Sequence, residues 1–293
     1  MKNNKWLTEA EKEKINEYFD SFASTIFKQL ETYVNKWELS NVSLIDYFSV
    51  SCLFYCLSEK YGEVVLKIVP NKFEVKTEIN TLLIYQNKCF VKIYDYDLEA
   101  GVMLLERIVP GTGLRNLSLE RRIEIFCQIF KDLHIKTLEN VEFPYYQNWI
   151  TNMLKFLKEQ NEYSRFYFML LKANEFYLEL KKTYPENRLL HGDLHHDNIL
   201  LGANDNYKVI DPKGVIANPI FDIGRFIHNE LTEESSIQKI EFIIKIISKE
   251  LTVPIVVLNK LLYIDVVLGN CWNIEDGKEI DYYAIEMIEA LII

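Results

Sequence analysis

Three textures follow one another along the chain. Thr8-Glu-Ala-Glu11 has the form of a capping box, and apolar residues then recur at helical spacing to about Trp37, which predicts an amino-terminal helical extension. From Tyr47 to Val69 the residues become β-branched and aromatic. Two strand-like runs, 50–57 and 63–69, flank the turn Ser58-Glu-Lys-Tyr-Gly62 and read as a hairpin. Residues 71–85 place Phe73, Ile79, Leu82 and Leu83 at mixed helical spacing, and the runs 89–94 and 101–105 predict two further strands. After Pro110-Gly-Thr-Gly113 the pattern is overwhelmingly helical. It breaks near Pro185 and through 191–219, where short apolar pairs alternate with Gly, Asn, Asp and Pro. The implied architecture is α+β: a small, mainly antiparallel β lobe over 1–106, with its helical extension over 1–40, and a larger, mainly α lobe over 107–293.

Composition narrows the function classes. An apolar fraction of 49% supports a packed core and argues against disorder. A net charge of −10 and a pI near 5.2 have the wrong sign for a phosphate-backbone binder, so nucleic acid is not an expected partner. The excess of carboxylates suits a cationic small molecule and equally suits a solvated surface. Five scattered cysteines without a Cys-x-x-Cys pair read as reduced core thiols. The amino terminus lacks an apolar signal-peptide core and no run of about 18 apolar residues stands out. The expectation is a cytoplasmic protein with no membrane partner and no obligate protein partner.

The chemistry concentrates in His191-Gly-Asp-Leu-His-His-Asp-Asn198. Asp193 and Asn198 carry the Asp-x-x-x-x-Asn spacing of a kinase catalytic loop. A carboxylate there can accept the proton of an attacking hydroxyl, while an amide oxygen can bind Mg²⁺ without adding charge. Thirteen residues after Asn198, Val209-Ile-Asp211-Pro-Lys-Gly214 presents a second carboxylate at the end of a strand-like run, placed to complete a metal site with nucleotide phosphates and water. Upstream, Val64-Val-Leu-Lys67 has the form of a strand lysine that bridges phosphates, followed by Glu74 and Glu78. These two share one helix face, so spacing does not separate them; Glu78 is taken as the partner of Lys67. His191, His195 and His196 also invite a dinuclear metallohydrolase reading. That reading needs further histidines from motifs that the chain does not supply. His191 suits a structural role in orienting the loop, and Asp222, polar in an apolar neighbourhood, suits hydrogen bonding to the loop backbone.

These residues resemble the aminoglycoside phosphotransferase family, and most closely its streptomycin 6-phosphotransferase and hydroxyurea phosphotransferase branch. The resemblance rests on His191-Gly-Asp-Leu-His-His-Asp-Asn-Ile-Leu200, Ile210-Asp-Pro-Lys-Gly214 and Asn218-Pro-Ile-Phe-Asp-Ile-Gly-Arg-Phe226, with weaker similarity from about residue 45 onward. It implies a bilobal protein-kinase-like fold and an ATP- or GTP-dependent, Mg²⁺-requiring kinase acting on a small-molecule hydroxyl, with antibiotic resistance as its setting. It also implies that Asp193 orients or deprotonates the acceptor, that Asn198 and Asp211 bind the metal, and that Glu106-Arg-Ile108 is the hinge whose backbone meets the adenine. The expected glycine-bearing phosphate loop is replaced by Tyr47-Phe-Ser-Val-Ser-Cys52, where Ser49 or Ser51 would supply donors. Trp272, Glu275, Asp276 and Asp281 are the candidates for a cationic acceptor pocket, though an exposed helix end would look the same. The competing expectations are a kinase of a metabolic amine alcohol or sugar, and a pseudokinase that binds nucleotide without turnover.

Overall fold

In a computed structural model, residues 6–48, 50–70, 75–86, 88–136, 141–232 and 236–292 are described. The chain divides into two compact units, 1–112 with 200–210, and 113–199 with 211–293.

In the first unit the amino-terminal extension is two helices, not one. The capping box forms at Thr8 and Glu11 and starts α1 (Glu9–Phe19), a single 3-10 turn interrupts at Asp20–Phe22, and α2 (Ala23–Lys36) follows. Ala23, Ile26, Leu30, Tyr33 and Val34 put the buried side chains of α2 on one face. That face covers a five-stranded antiparallel sheet of β1 (Leu39–Leu44), β2 (Cys52–Ser58), β3 (Gly62–Ile68), β4 (Ile93–Asp97) and β5 (Val102–Glu106), in the order β1-β2-β3-β5-β4. The covered side is period-two: Cys52, Phe54 and Cys56 from β2, Val64, Leu66 and Ile68 from β3, and Val102 and Leu104 from β5 share one core with the helices. Each such aliphatic contributes about 1.5–3 kcal/mol on full burial.

Alternation places Lys67 on the opposite side of β3, facing the helix α3 (Val75–Ile84). The β2–β3 hairpin forms as the pattern predicts, with Ser58 opposite Gly62. Strand β1 was not predicted. It is an edge strand, buried at Leu39 and largely open beyond, so Ser40, Asn41 and Ser43 mask its pattern. The run 89–94 differs as well: β4 begins only at Ile93, and Phe90 makes a single bridge to Val209 in the segment 200–210.

The second unit is built from α4 (Leu119–Leu133), α5 (Tyr146–Lys158), α6 (Ser164–Thr183), α7 (Phe221–His228), α8 (Ile237–Leu251), α9 (Ile255–Glu275) and α10 (Tyr282–Ile292). Helix α9 is long and apolar enough to cross a membrane, yet 67% of its apolar stretch is buried, and α5, α6, α7, α8 and α10 all pack on it. It is the central core helix of this unit. Gly224 lets α7 approach α9 closely, since a Cβ there would lie 2.7 Å from the Leu261 carbonyl oxygen. A two-stranded antiparallel ladder, Arg188–Leu190 with Val215–Ala217, brackets the His191 and Asp211 segments. Cys52, Cys56, Cys127 and Cys271 are buried thiols, and burial pushes each up to about 12.

Candidate active site

In the first unit, Lys67 Nζ lies 2.7 Å from Glu78 Oε1, and both side chains are almost fully buried. The structure thus pairs Lys67 with Glu78; Glu74 lies outside the described residues. An ion pair held this far from water is costly to form and stays in place only when its surroundings fix it, here β3 on one side and α3 on the other. Ser51 is buried at the start of the β2 hairpin, and Ser49 lies outside the described residues. Glu106 ends β5, where its carboxylate accepts the Lys92 backbone N–H at 3.1 Å, and Ile108 follows in the chain leaving the sheet.

In the second unit the His191–Asn198 loop hangs on one buried carboxylate. Asp222, 1% exposed at the start of α7, accepts the backbone N–H groups of His191 at 3.0 Å and Gly192 at 2.8 Å and contacts His134 Nε2 at 2.9 Å. His191 Nδ1 in turn accepts the Asp193 N–H at 3.1 Å. The structural roles expected for Asp222 and His191 are those observed. Gly192 has φ +81°, and a Cβ there would come within 2.9 Å of the Trp149 ring, so only glycine fits this turn. Asn198 donates its Nδ2 to the Asp193 carbonyl at 2.9 Å, which closes the loop and leaves the amide oxygen as its acceptor atom. Asp211, half-buried, adopts φ +56°, a left-handed conformation that Asp tolerates better than most residues.

The electrostatics around Asp193 are strongly biased. Burial would raise its carboxyl, but His195, Arg225 and Lys213 overcome this and hold it well below the usual carboxylate range. Burial alone would lower the His195 imidazole. Asp193 Oδ2 at 3.7 Å from Nε2 and Asp197 Oδ2 at 3.6 Å from Nδ1 outweigh it and raise the ring to about 9. Asp197 is bound in turn by Arg115, with both carboxylate oxygens within 2.9 Å of Nε. His196 enters a separate network: its Nε2 lies 2.7 Å from Glu230 Oε1, and its ring stacks on Phe226 at 4.3 Å. The two adjacent histidines serve different carboxylates, and among the described residues no group of three or more His, Cys, Asp and Glu converges as a metal set. That arrangement is unlike a dinuclear histidine site.

Sequence reasoning missed the residues behind Asp193. Arg225 Nε lies 3.3 Å from Asp193 Oδ1 and 3.4 Å from Asp265 Oδ1, and its guanidinium sits 5.7 Å above the Trp272 ring. His228 Nδ1 holds Asp265 at 2.7 Å. A usable signal was present: Asp265 is a lone carboxylate in the apolar run Leu261–Leu268, and such a group needs a buried partner. Of the acceptor candidates, only Trp272 joins this cluster, touching Trp149 at 5.5 Å. Glu275 and Asp276 are exposed at the end of α9, with Asp276 paired to Lys278. Asp281 caps α10 by accepting the Ala284 N–H at 2.8 Å.

The chain has relatives among known proteins. Streptomycin 6-kinase of Streptomyces griseus is 22% identical over 198 residues, which cover 65% of this chain and 62% of that protein, so the match spans less than two thirds of the relative. Among solved structures, the choline kinase LicA from Streptococcus pneumoniae superposes with a TM-score of 0.64 at 17% identity over 89% of this chain and 95% of that one. The aminoglycoside phosphotransferase APH(4)-Ia does so with a TM-score of 0.65 at 14% identity, over 92% and 98% of the two chains. The fold is that of these protein-kinase-like phosphotransferases. The sequence pattern of one family spans residues 36–277, and the chain belongs to it: the aminoglycoside/hydroxyurea antibiotic resistance kinases.

Proposed function

We propose that this protein transfers the γ-phosphoryl group of ATP or GTP to a hydroxyl of a small molecule, with an aminoglycoside such as streptomycin as the acceptor class. The observation that carries this reading is the closed loop in which Asp193 and Asn198 are tied by one hydrogen bond and hung on Asp222. A loop fixed at both ends presents a carboxylate and an amide oxygen in constant relation, which is the positioning that phosphoryl transfer needs.

In this reading Asp193 binds the acceptor hydroxyl and turns its oxygen toward phosphorus. A carboxylate held so far below its usual range is a strong orienting group and a weak base. The proton of the acceptor hydroxyl passes to Asp193 as the P–O bond to the nucleoside diphosphate breaks and the bond to the acceptor oxygen forms. Lys67, fixed by Glu78, binds the α- and β-phosphates, the Ser51 region lies along them, and the backbone at Glu106 and Ile108 takes the adenine edge. The hard oxygen donors of Asn198 and Asp211 suit Mg²⁺ and would hold it; the ion would supply positive charge to offset that on the transferred group. On the acceptor side this reading places Trp272, with Trp149 against it, and the carboxylates of Glu275, Asp276 and Asp281 for cationic groups of the acceptor.

The test is a product assay with Mg-ATP and Mg-GTP against streptomycin, other aminoglycosides, hydroxyurea and choline-like alcohols. Phosphorylated product with an aminoglycoside, lost in Asp193→Ala while nucleotide still binds, supports the reading. Nucleotide binding without product from any acceptor would instead favour a pseudokinase, and turnover of an amine alcohol alone a metabolic kinase.

A further inference from the structure

We propose that Arg225 is the positioning residue for Asp193: a guanidinium fixed to the core of the second unit holds one carboxylate oxygen and thereby sets the direction in which the other faces an acceptor. This rests on the role given to Asp193 above and goes beyond it, because nothing in the catalytic-loop sequence contains Arg225.

The argument begins with what holds Arg225. It projects from α7, whose Gly224 is pressed against α9, so its Cα is located by helix packing and not by the loop. Its guanidinium rests on the Trp272 face, and a second carboxylate, Asp265, faces the same Nε at 3.4 Å. Asp265 is itself anchored by His228 and 4% exposed. Arg225 therefore has three attachments that do not involve Asp193. The loop residue is the adjustable member of the pair and the arginine the fixed one.

The contact itself is a bridge of charge. Arg225 Nε is buried and makes no aligned hydrogen bond, yet it lies almost equally far from Oδ1 of Asp193 and Oδ1 of Asp265. A half-buried carboxylate, Asp193, and a buried one, Asp265, share this cation, and Asp265 in particular is stable only while the cation stays beside it. Oδ1 of Asp193 is thereby engaged on the Arg225 side, with the His195 ring 3.7 Å from Oδ2. The carboxylate plane is fixed from two directions, which is how a near-attack geometry is maintained. A lysine could keep the charge but not the planar, delocalised cation that Arg225 places over Trp272.

Three variants test this, using the acceptor that gives product in the assay above. Arg225→Met should lower kcat by about tenfold or more while nucleotide Kd stays within about twofold, because orientation of the acceptor is lost and nucleotide contacts are not. Arg225→Lys should recover part of kcat. Arg225→Met combined with Asp265→Asn, which removes the carboxylate left facing Asp193, should restore the melting temperature without restoring kcat. Recovery of kcat in the double variant would overturn the proposal, because the loss would then have come from an unpaired buried charge. Wild-type kcat in a folded Arg225→Met would do the same. The underlying reading fails separately, if Asp193→Ala itself keeps its turnover.

Discussion

Replacing Asp222 by Asn tests whether one buried carboxylate organises the loop. Its two oxygens meet the Gly192 N–H at 2.8 Å, the His191 N–H at 3.0 Å and His134 Nε2 at 2.9 Å. An amide keeps one oxygen. If that oxygen serves Gly192, the NH₂ group faces the His191 N–H, and a donor meets a donor. The lost charge-assisted bond costs about 1.5–3 kcal/mol and the stranded N–H about 1–3 kcal/mol; out of a joint range of about 2.5–6 kcal/mol the variant should lose about 3–4 kcal/mol. His134 softens this by exchanging tautomers, which is why the lower part of the summed range is the expected one. At about 2–4 °C per kcal/mol for chains of this size, Tm should fall by on the order of 10 °C. Differential scanning calorimetry reads the fall, and steady-state turnover reads the loop. A variant melting within about 2 °C of the parent with unchanged kcat would show that His191 and Gly192 are held by other contacts and would refute the reasoning.

Three further outcomes follow from the same geometry. Lys67→Met removes the cation facing a buried Glu78 and should weaken nucleotide affinity by about tenfold or more, with a stability loss of about 3–5 kcal/mol that Lys67→Met/Glu78→Gln reverses without recovering affinity; calorimetric titration with Mg-ATP checks it. Gly192→Ala forces a Cβ to within 2.9 Å of Trp149 at φ +81° and should cost about 1–3 kcal/mol and most of the turnover, read by thermal melting and product formation. Glu11 is opposed by burial but held below its ordinary value of 4.5 by the Leu44 and Thr8 N–H groups and the Thr8 hydroxyl. Its folded value being depressed, its contribution is present above pH 4.5 and lost as the pH falls through the folded value. Glu11→Gln should therefore flatten the acid limb of the Tm-against-pH curve, and an unchanged limb would place that loss elsewhere.

How far the sequence reaches depends on where the information is local. The capping box at Thr8, the β2–β3 hairpin and the Asp193-to-Asn198 spacing are each written within one short stretch of chain, and each is legible there. Asp222 was legible for a different reason, as a carboxylate in an apolar helix that needs donors, which the loop backbone supplies. Strand β1 escaped because an edge strand with one buried residue has no period to show, and the break at Asp20–Phe22 escaped because the apolar spacing runs through it. The network behind Asp193 is the instructive failure. Arg225 and Asp265 are forty residues apart, and Trp272 drew attention to its acidic neighbours in sequence when its partner is a cation on another helix. A lone charge within an apolar run marks a buried ion pair but not its partner, because the pairing is decided by how α7 lies on α9. The spacing of Asp193 and Asn198 can be read along the chain; what holds the carboxylate proposed to orient the acceptor is a property of helix packing, and it becomes visible only in three dimensions.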